Sequence, residues 1–244
     1  MRPVNSKRHS GVCCKFAIME KKLRPFKAVL FDMDGVILDT ERVHILGWHA
    51  CFGALGIDPG DDFLTRLRGA NTEFQARLFE EKFHGAVDYQ ATRNARRKFC
   101  ADYYAEHGLP VKPGYREISA WLKEKGIPKA LCSSTTLETI KEEFVIAGLP
   151  FDFDASVTGT EPPRSKPAPD VFLMGAARLS VRPEDCIVFE DSPNGVKAGA
   201  AAGCQVIMIP DTVPADEELR ACSTAVCGSL LEAMELLVTI QGFD

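Results

Sequence analysis

Two carboxylates, Asp32 and Asp34, stand two residues apart at the end of a short apolar run, Ala28-Val29-Leu30-Phe31, with Gly35 directly behind them. The run reads as a strand buried on both faces. A strand has period two, so both side chains leave its end on the same side and can converge on one ion or one reacting atom. Two acids that close repel each other unless a cation or a proton lies between them. Mg²⁺ is the economical choice, a hard cation usually held by one or two carboxylates plus substrate phosphate. An EF-hand loop also opens Asp-x-Asp, but here the glycine follows at once and the pattern sits on an apolar strand. A solvated Asp-Gly turn is the other bland alternative, and the apolar Val36, Ile37 and Leu38 that follow weigh against it.

Further polar residues fall just after apolar runs. Leu131-Cys132 leads into Ser133-Ser134-Thr135-Thr136, hydroxyls and backbone N–H groups ahead of a helix, which suit a phosphate as well as an ordinary N-cap. Lys166 stands in the turn-forming stretch Ser165–Asp170, where a solvated surface lysine is the plain reading. Ile187-Val188-Phe189 ends in Glu190 and Asp191, after which Ser192 is placed to N-cap a helix with Pro193 at its first position. Acids, hydroxyls and lysine thus gather at the carboxyl ends of expected strands, where open α/β sheets bind ligands.

The elements needed to position them follow from periodicity. Helical spacing runs through 40–55, 61–67, 72–83 and 89–106, with nothing strand-like between. From Gly126 the pattern alternates: strands at 127–132, 155–158, 186–189 and 205–209; helices at 137–147, 170–179, 193–202, 217–221 and 230–237. Alternation of this kind predicts an α/β fold, a doubly wound (Rossmann-like) parallel sheet. Its core is expected over 24–39 and 112–244, with an inserted all-helical cap over 40–111. Residues 1–23 read as a basic, disordered extension without the apolar core of a signal peptide, and Met19 is a candidate true start.

Composition sets the outer limits. The chain has 244 residues, 45 % apolar and 26 % charged, with a net charge of −5, which disfavours a general nucleic-acid surface. No apolar run approaches the ~18 residues of a membrane span. Nine cysteines, odd in number and without a Cys-x-x-Cys pair, fit reduced core residues of a cytoplasmic protein. Neither Gly-x-x-x-x-Gly-Lys-Ser/Thr nor Gly-x-Gly-x-x-Gly is present, which argues against P-loop and dinucleotide enzymes.

With these residues in place, the chain resembles the haloacid dehalogenase superfamily of phosphotransferases, in the helical-cap subfamily that holds β-phosphoglucomutases and related phosphatases. Asp32-Met33-Asp34-Gly35-Val36 looks like the first motif, Ser133 the second, Lys166 the third and Glu190-Asp191 the fourth. The resemblance implies that Asp32 is a nucleophile forming an aspartyl-phosphate, and that Asp34 is the acid and base. It implies Mg²⁺ held by Asp32, the Asp34 backbone carbonyl and Asp191, with Glu190 as a further ligand or a supporting acid. Ser133, Lys166 and backbone N–H groups near Met33 and Ser134 would hold the phosphoryl oxygens. A cis Lys166–Pro167 bond is also implied. The substrate expected is a small phosphate ester, with His44, Arg68, Asn71, Thr72 and Glu73 as candidate cap contacts, although His44 is equally readable as a packed core residue. Three functions are carried forward: a Mg²⁺-dependent phosphatase, a β-phosphoglucomutase-like sugar phosphomutase, and a non-catalytic binding protein. Thr40 and His44 favour the mutase, whereas Thr72 stands where those mutases present an arginine to the distal phosphate.

Overall fold

The apolar runs form strands because each is buried on both faces and has no polar residue to turn outward. β1 (Ala28–Phe31), β2 (Lys129–Ser133), β4 (Cys186–Glu190) and β5 (Gln205–Met208) are buried at every position. With β3 (Ala155–Thr158) and the short β6 (Ala225–Val226) they make one parallel sheet in the order β3-β2-β1-β4-β5-β6. The computed structural model describes residues 23–67, 70 and 72–241. The expected disordered extension and Met19, together with Arg68 and Asn71, lie outside the described residues.

Alternation along the strands sorts the core into two layers. Val29, Phe31, Leu131, Ile187, Phe189 and Ile207 face α5 (Tyr115–Glu124), α6 (Leu137–Ile146) and α10 (Leu230–Gln241). Ala28, Leu30, Ala130, Cys132, Val188 and Val206 face α7 (Asp170–Arg178), α8 (Pro193–Ala201) and α9 (Glu217–Cys222). This is the doubly wound arrangement expected from the sequence. Strand order reverses at β1, the position at which such sheets bind their ligands.

Between β1 and α5 the chain leaves the sheet for α1 (Glu41–Ala54), α2 (Asp61–Leu67), α3 (Thr72–Phe83) and α4 (Tyr89–His107). It exits and returns side by side, with Lys112 N donating to Ile37 O at 2.8 Å and Asp39 N to Pro110 O at 3.0 Å. The first three of these helices bury a cluster of their own, Trp48, Phe52, Phe63, Leu64, Leu67, Leu78 and Phe79. Ring contacts such as Phe52–Phe79 at 5.7 Å and Phe63–Phe79 at 5.4 Å knit it together. Gly47 brings α1 close to α4, since a Cβ there would stand 2.9 Å from Arg96 Cγ.

Most expected elements appear within two residues of their expected bounds. The second strand begins at Lys129 and not Ile127, because pairing with β1 starts where Pro128 lends its carbonyl to Val29 N at 3.0 Å. Two elements were not anticipated. α5 buries Tyr115, Ile118, Ser119 and Leu122, a helical period broken by a polar residue. β6 is two residues long and too short to show a period. Among the described residues no helix is long and apolar enough to cross a membrane. All seven described cysteines are free thiols.

The packing of α8 on β4 leaves no room for one methyl group. Alanine normally stabilises a helix over glycine by roughly 0.5–1 kcal/mol. At Gly195, however, an added Cβ would lie 1.7 Å from Glu190 Oε1, and the Glu190 side chain is fully buried. Gly195→Ala should therefore reverse the usual sign and destabilise by about 2 kcal/mol or more, as overpacking does. Urea unfolding measures this, and a stability equal to or above that of the wild type would contradict the packing.

Candidate active site

Strand register decides which side chains meet. Phe31 pairs with Phe189 and with Leu131, so the next residues, Asp32, Glu190 and Cys132, lie at one level at or near the ends of three adjacent strands. Asp32 N donates to Phe189 O at 3.0 Å and continues the ladder by one bond. Lys166, 1 % exposed, reaches this level from the loop before α7. Its Nζ donates to Asp32 Oδ1 at 2.5 Å, to Glu190 Oε1 at 2.6 Å and to Cys132 O at 3.3 Å. The Lys166–Pro167 peptide is cis, as expected.

Glu190 is engaged through both oxygens. Its Oε2 accepts from Asp191 N at 3.0 Å, Ser192 N at 3.0 Å and Ser192 Oγ at 2.9 Å. The same Ser192 hydroxyl caps α8 by accepting from Gly195 N at 3.1 Å. Glu190 thereby fixes Lys166 on one side and the start of α8 on the other, which leaves Asp32 and Asp191 as the more open acids.

Asp34 sits in a tight turn closed by bonds from Ile37 N and Leu38 N to Met33 O at 2.8 and 3.1 Å. Its carboxyl accepts from Thr40 Oγ1 at 2.5 Å and from Thr135 Oγ1 at 3.1 Å. Thr135 N in turn donates to Ser133 Oγ at 3.0 Å, so the hydroxyl loop after β2 is organised around these acids. Gly35, at φ +80°, lies directly against Asp191, where a Cβ would meet Oδ2 at 2.3 Å.

The electrostatics report too little positive charge for four acids. Burial pushes the Asp32 carboxyl well up, the Lys166 ammonium opposes it, and Glu190 and Asp34 push it further. Burial also drives Asp191 well up, and Glu190, Glu41 and Asp32 add to that. Asp34 is raised by burial against the hydrogen bonds from Thr40 and Thr135. For Lys166, burial works against the charge, but Asp32 and Glu190 more than offset it and hold the ammonium above its ordinary range. Asp32, Glu190 and Asp191 offer oxygens all within 4.8 Å of one another. An all-oxygen donor set with excess negative charge, beside a glycine that leaves space, fits Mg²⁺.

Above this level opens a cavity of about 400 Å³. Asp32, Asp34, Asp191, Ser134, His44 and Thr72, all singled out from the sequence, line it, while Ser133, Lys166 and Glu190 lie behind them. Burial, with the Arg96 charge, keeps the His44 imidazole well below its usual range and hence neutral. The sequence reading passed over Arg93, Arg96 and Arg97 of α4, which also line the cavity. Their i, i+3, i+4 spacing on a helix was the available signal. Arg96 stacks on Trp48 with its Cζ 4.9 Å from the ring centroid, and Arg97 Nη2 donates to Thr139 Oγ1 of α6 at 3.0 Å. Glu143 of α6 also reaches the cavity, and nothing in its local sequence distinguishes it from a solvated helix acid. The expected contact from Arg68 lies outside the described residues.

Comparison with known proteins agrees with this geometry. Residues 26–203 match the profile of a hydrolase family described as haloacid dehalogenase-like. Hexitol phosphatase A of Escherichia coli K12 is 31 % identical over 190 residues, which span 78 % of this chain and 85 % of that protein. The structure of CbbY from Rhodobacter sphaeroides in complex with phosphate superposes with a TM-score of 0.72 at 26 % identity, covering 85 % of this chain and 96 % of the other. A β-phosphoglucomutase from Clostridium difficile shares the fold, with a TM-score of 0.71 at 22 % identity over 84 % of this chain and 92 % of its own.

The Lys166 ammonium is what lets two buried carboxylates coexist. Lys166→Met keeps the stem and removes the charge, leaving Asp32 and Glu190 without their shared cation. Removing one partner of a buried pair costs about 3–5 kcal/mol. Lys166 lowers the Asp32 pKa, so its loss lifts that pKa further. An acid with a raised native pKa loses stability as pH climbs from its unfolded value through its folded one. The Lys166→Met deficit should therefore be larger at pH 8 than at pH 5 in urea unfolding. An equal deficit at both pH values would contradict the pairing.

Proposed function

The chain belongs to the haloacid dehalogenase-like hydrolases, and on that premise we propose that it is a Mg²⁺-dependent phosphatase of a small phosphorylated metabolite, a sugar phosphate or similar monoester. The observation that carries this reading is Asp32, buried yet lining the cavity, with one oxygen fixed by Lys166 and Asp34 beside it. A named phosphatase at 31 % identity supports the same chemistry.

In this reading the substrate phosphoryl group rests at the mouth of β1. An oxygen of Asp32 forms a bond to phosphorus as the ester P–O bond breaks, giving an aspartyl-phosphate. Asp34 donates its proton to the departing ester oxygen. Burial raises its pKa and so favours the protonated state this step needs. Water then attacks phosphorus and Asp34 takes back a proton, which frees inorganic phosphate and restores Asp32. Thr40 and Thr135 keep the Asp34 carboxyl in one orientation through both steps. Lys166 supplies positive charge from behind Asp32, and the hydroxyl loop from Ser133 to Thr136 supplies donors to the phosphoryl oxygens, the chief requirement of phosphoryl transfer. Mg²⁺ held by Asp32 and Asp191, with the Asp34 carbonyl, would neutralise charge on those oxygens. Helices α1 to α4 serve as a cap that carries the substrate-selecting side chains.

One observation favours the mutase as a second reading. A mutase must hold phosphate at both ends of its substrate. Thr72 cannot supply the cation, but Arg93 and Arg96 line the same cavity. A coupled assay with β-glucose 1-phosphate, Mg²⁺ and a trace of the 1,6-bisphosphate separates the two. Release of inorganic phosphate with little glucose 6-phosphate is expected, and glucose 6-phosphate formed faster than phosphate would reverse the choice.

The nucleophile gives the sharper test. Asp32→Asn keeps the shape of the side chain and removes the attacking oxygen's charge. Turnover of p-nitrophenyl phosphate should fall at least about a hundredfold, since covalent catalysis fails as a unit. Chelation of Mg²⁺ should abolish the wild-type rate. Residual activity of Asp32→Asn well above one part in about a hundred, with an intact circular dichroism spectrum, would reject the covalent route.

A further inference from the structure

Native proteins pair the great majority of their buried polar atoms, so an unpaired group inside a cavity marks a place for something else to bind. Among the described residues, Arg96 Nε, Tyr104 Oη and Glu143 Oε2 are buried without a hydrogen-bond partner, and all three residues line the same cavity. Tyr104 is 4 % exposed and Glu143 8 % exposed. Arg96 and Tyr104 stand eight residues apart on α4, two turns along one face, and Glu143 approaches from α6. Arg96 is held in place by stacking on Trp48 and by close packing against Gly47.

The trio has a definite relation to the reacting centre. Burial raises the Glu143 carboxyl to about 8, and the nearby Asp34 is the next contributor. Burial likewise raises the Tyr104 phenol, with Glu143 and Asp34 among the groups that add to it. Asp34, Tyr104 and Glu143 all line this one cavity. A neutral carboxyl and a phenol can each donate and accept, so a single alcohol can bridge them, accepting from one and donating to the other. An aryl or alkyl group offers neither.

We propose that Glu143 and Tyr104, steadied by Arg96, form a polar subsite that hydrogen-bonds a hydroxyl of the leaving group and so selects sugar or polyol phosphates over aryl phosphates. The proposal rests on the phosphatase reading and adds to it the residues that read the leaving group.

The test compares kcat/KM for fructose 1-phosphate, sorbitol 6-phosphate and ribose 5-phosphate with that for p-nitrophenyl phosphate. The ratio of the best hydroxylated ester to the aryl ester is the readout. Glu143→Leu and Tyr104→Phe should each lower that ratio about tenfold, the loss expected for one hydrogen bond between neutral groups. Glu143→Gln, which keeps donor and acceptor, should retain most of it. Thermal unfolding supplies a second readout. Removing a group that has no protein partner should leave Tm unchanged or raised in the leucine and phenylalanine variants. Equal losses on hydroxylated and aryl esters, or a Tm lowered by several degrees with the ratio intact, would overturn the proposal and make these residues structural. A wild type that releases phosphate from none of the four esters would sink the phosphatase reading and this one with it. Wild-type turnover with an unchanged ratio in both variants would sink only the subsite.

Discussion

The Lys166 ammonium, enclosed between Asp32 and Glu190 at distances of 2.5 and 2.6 Å, is the interaction on which the site depends. The register of three neighbouring strands places two carboxylates and a carbonyl within reach of each other in a region nearly closed to water. Without a cation such an arrangement would protonate or come apart. Lys166 resolves half of the problem by taking one oxygen from each acid. Asp34 and Asp191 remain in excess, with burial raising both, and the remaining negative charge faces the cavity. In the proposed reading a cation and then a phosphate would complete the electrostatics of the fold.

Charge is partitioned between the two parts of the cavity wall. The sheet contributes the acids, at strand ends that backbone pairing holds rigidly. α4 contributes guanidinium groups, and Arg96 lowers the pKa of both Asp34 and Glu143 by its proximity. Glu143 is nonetheless held near 8 by burial, so at neutral pH it does not cancel the arginines opposite. The wall offers an anion a positive approach and a neutral polar partner at once. An ester with a charged head and a hydroxylated tail matches both features.

Much of the fold could be read from the chain. The parallel strands are apolar runs with no outward residue, and the alternation of runs and helical segments leaves few topologies open. Asp32, Asp34, Lys166, Glu190 and Asp191 stand out as candidates because strand ends are where such sheets put their chemistry, and the structure gathers them at one end of the sheet. The roles within that group were less legible. Glu190 looks like a metal ligand by position, and only its bonds from Lys166 and Ser192 show that both of its oxygens are engaged. The α4 arginines were missed because that helix is polar on most of its surface, so its inward side is set by packing against α1 rather than by its own period. Glu143 was hidden for the same reason, standing in the polar stretch Lys141-Glu142-Glu143. α5 shows the opposite failure, with a periodic signal present but interrupted by Ser119.

The placement of Thr40 ties the helical half of the cavity to the Asp34 carboxyl. Its hydroxyl holds Asp34 at 2.5 Å, and the next residue, Glu41, opens the helix that carries His44 and Trp48 into the cavity. Rotation of that helix about its first turn would stretch this bond before it disturbed any strand. Since the bond opposes the effect of burial on Asp34, stretching it would tighten the acid's grip on its proton, and restoring it would loosen that grip. The acid's hold on its proton is thereby tied, through one hydroxyl, to the first turn of the helix above it.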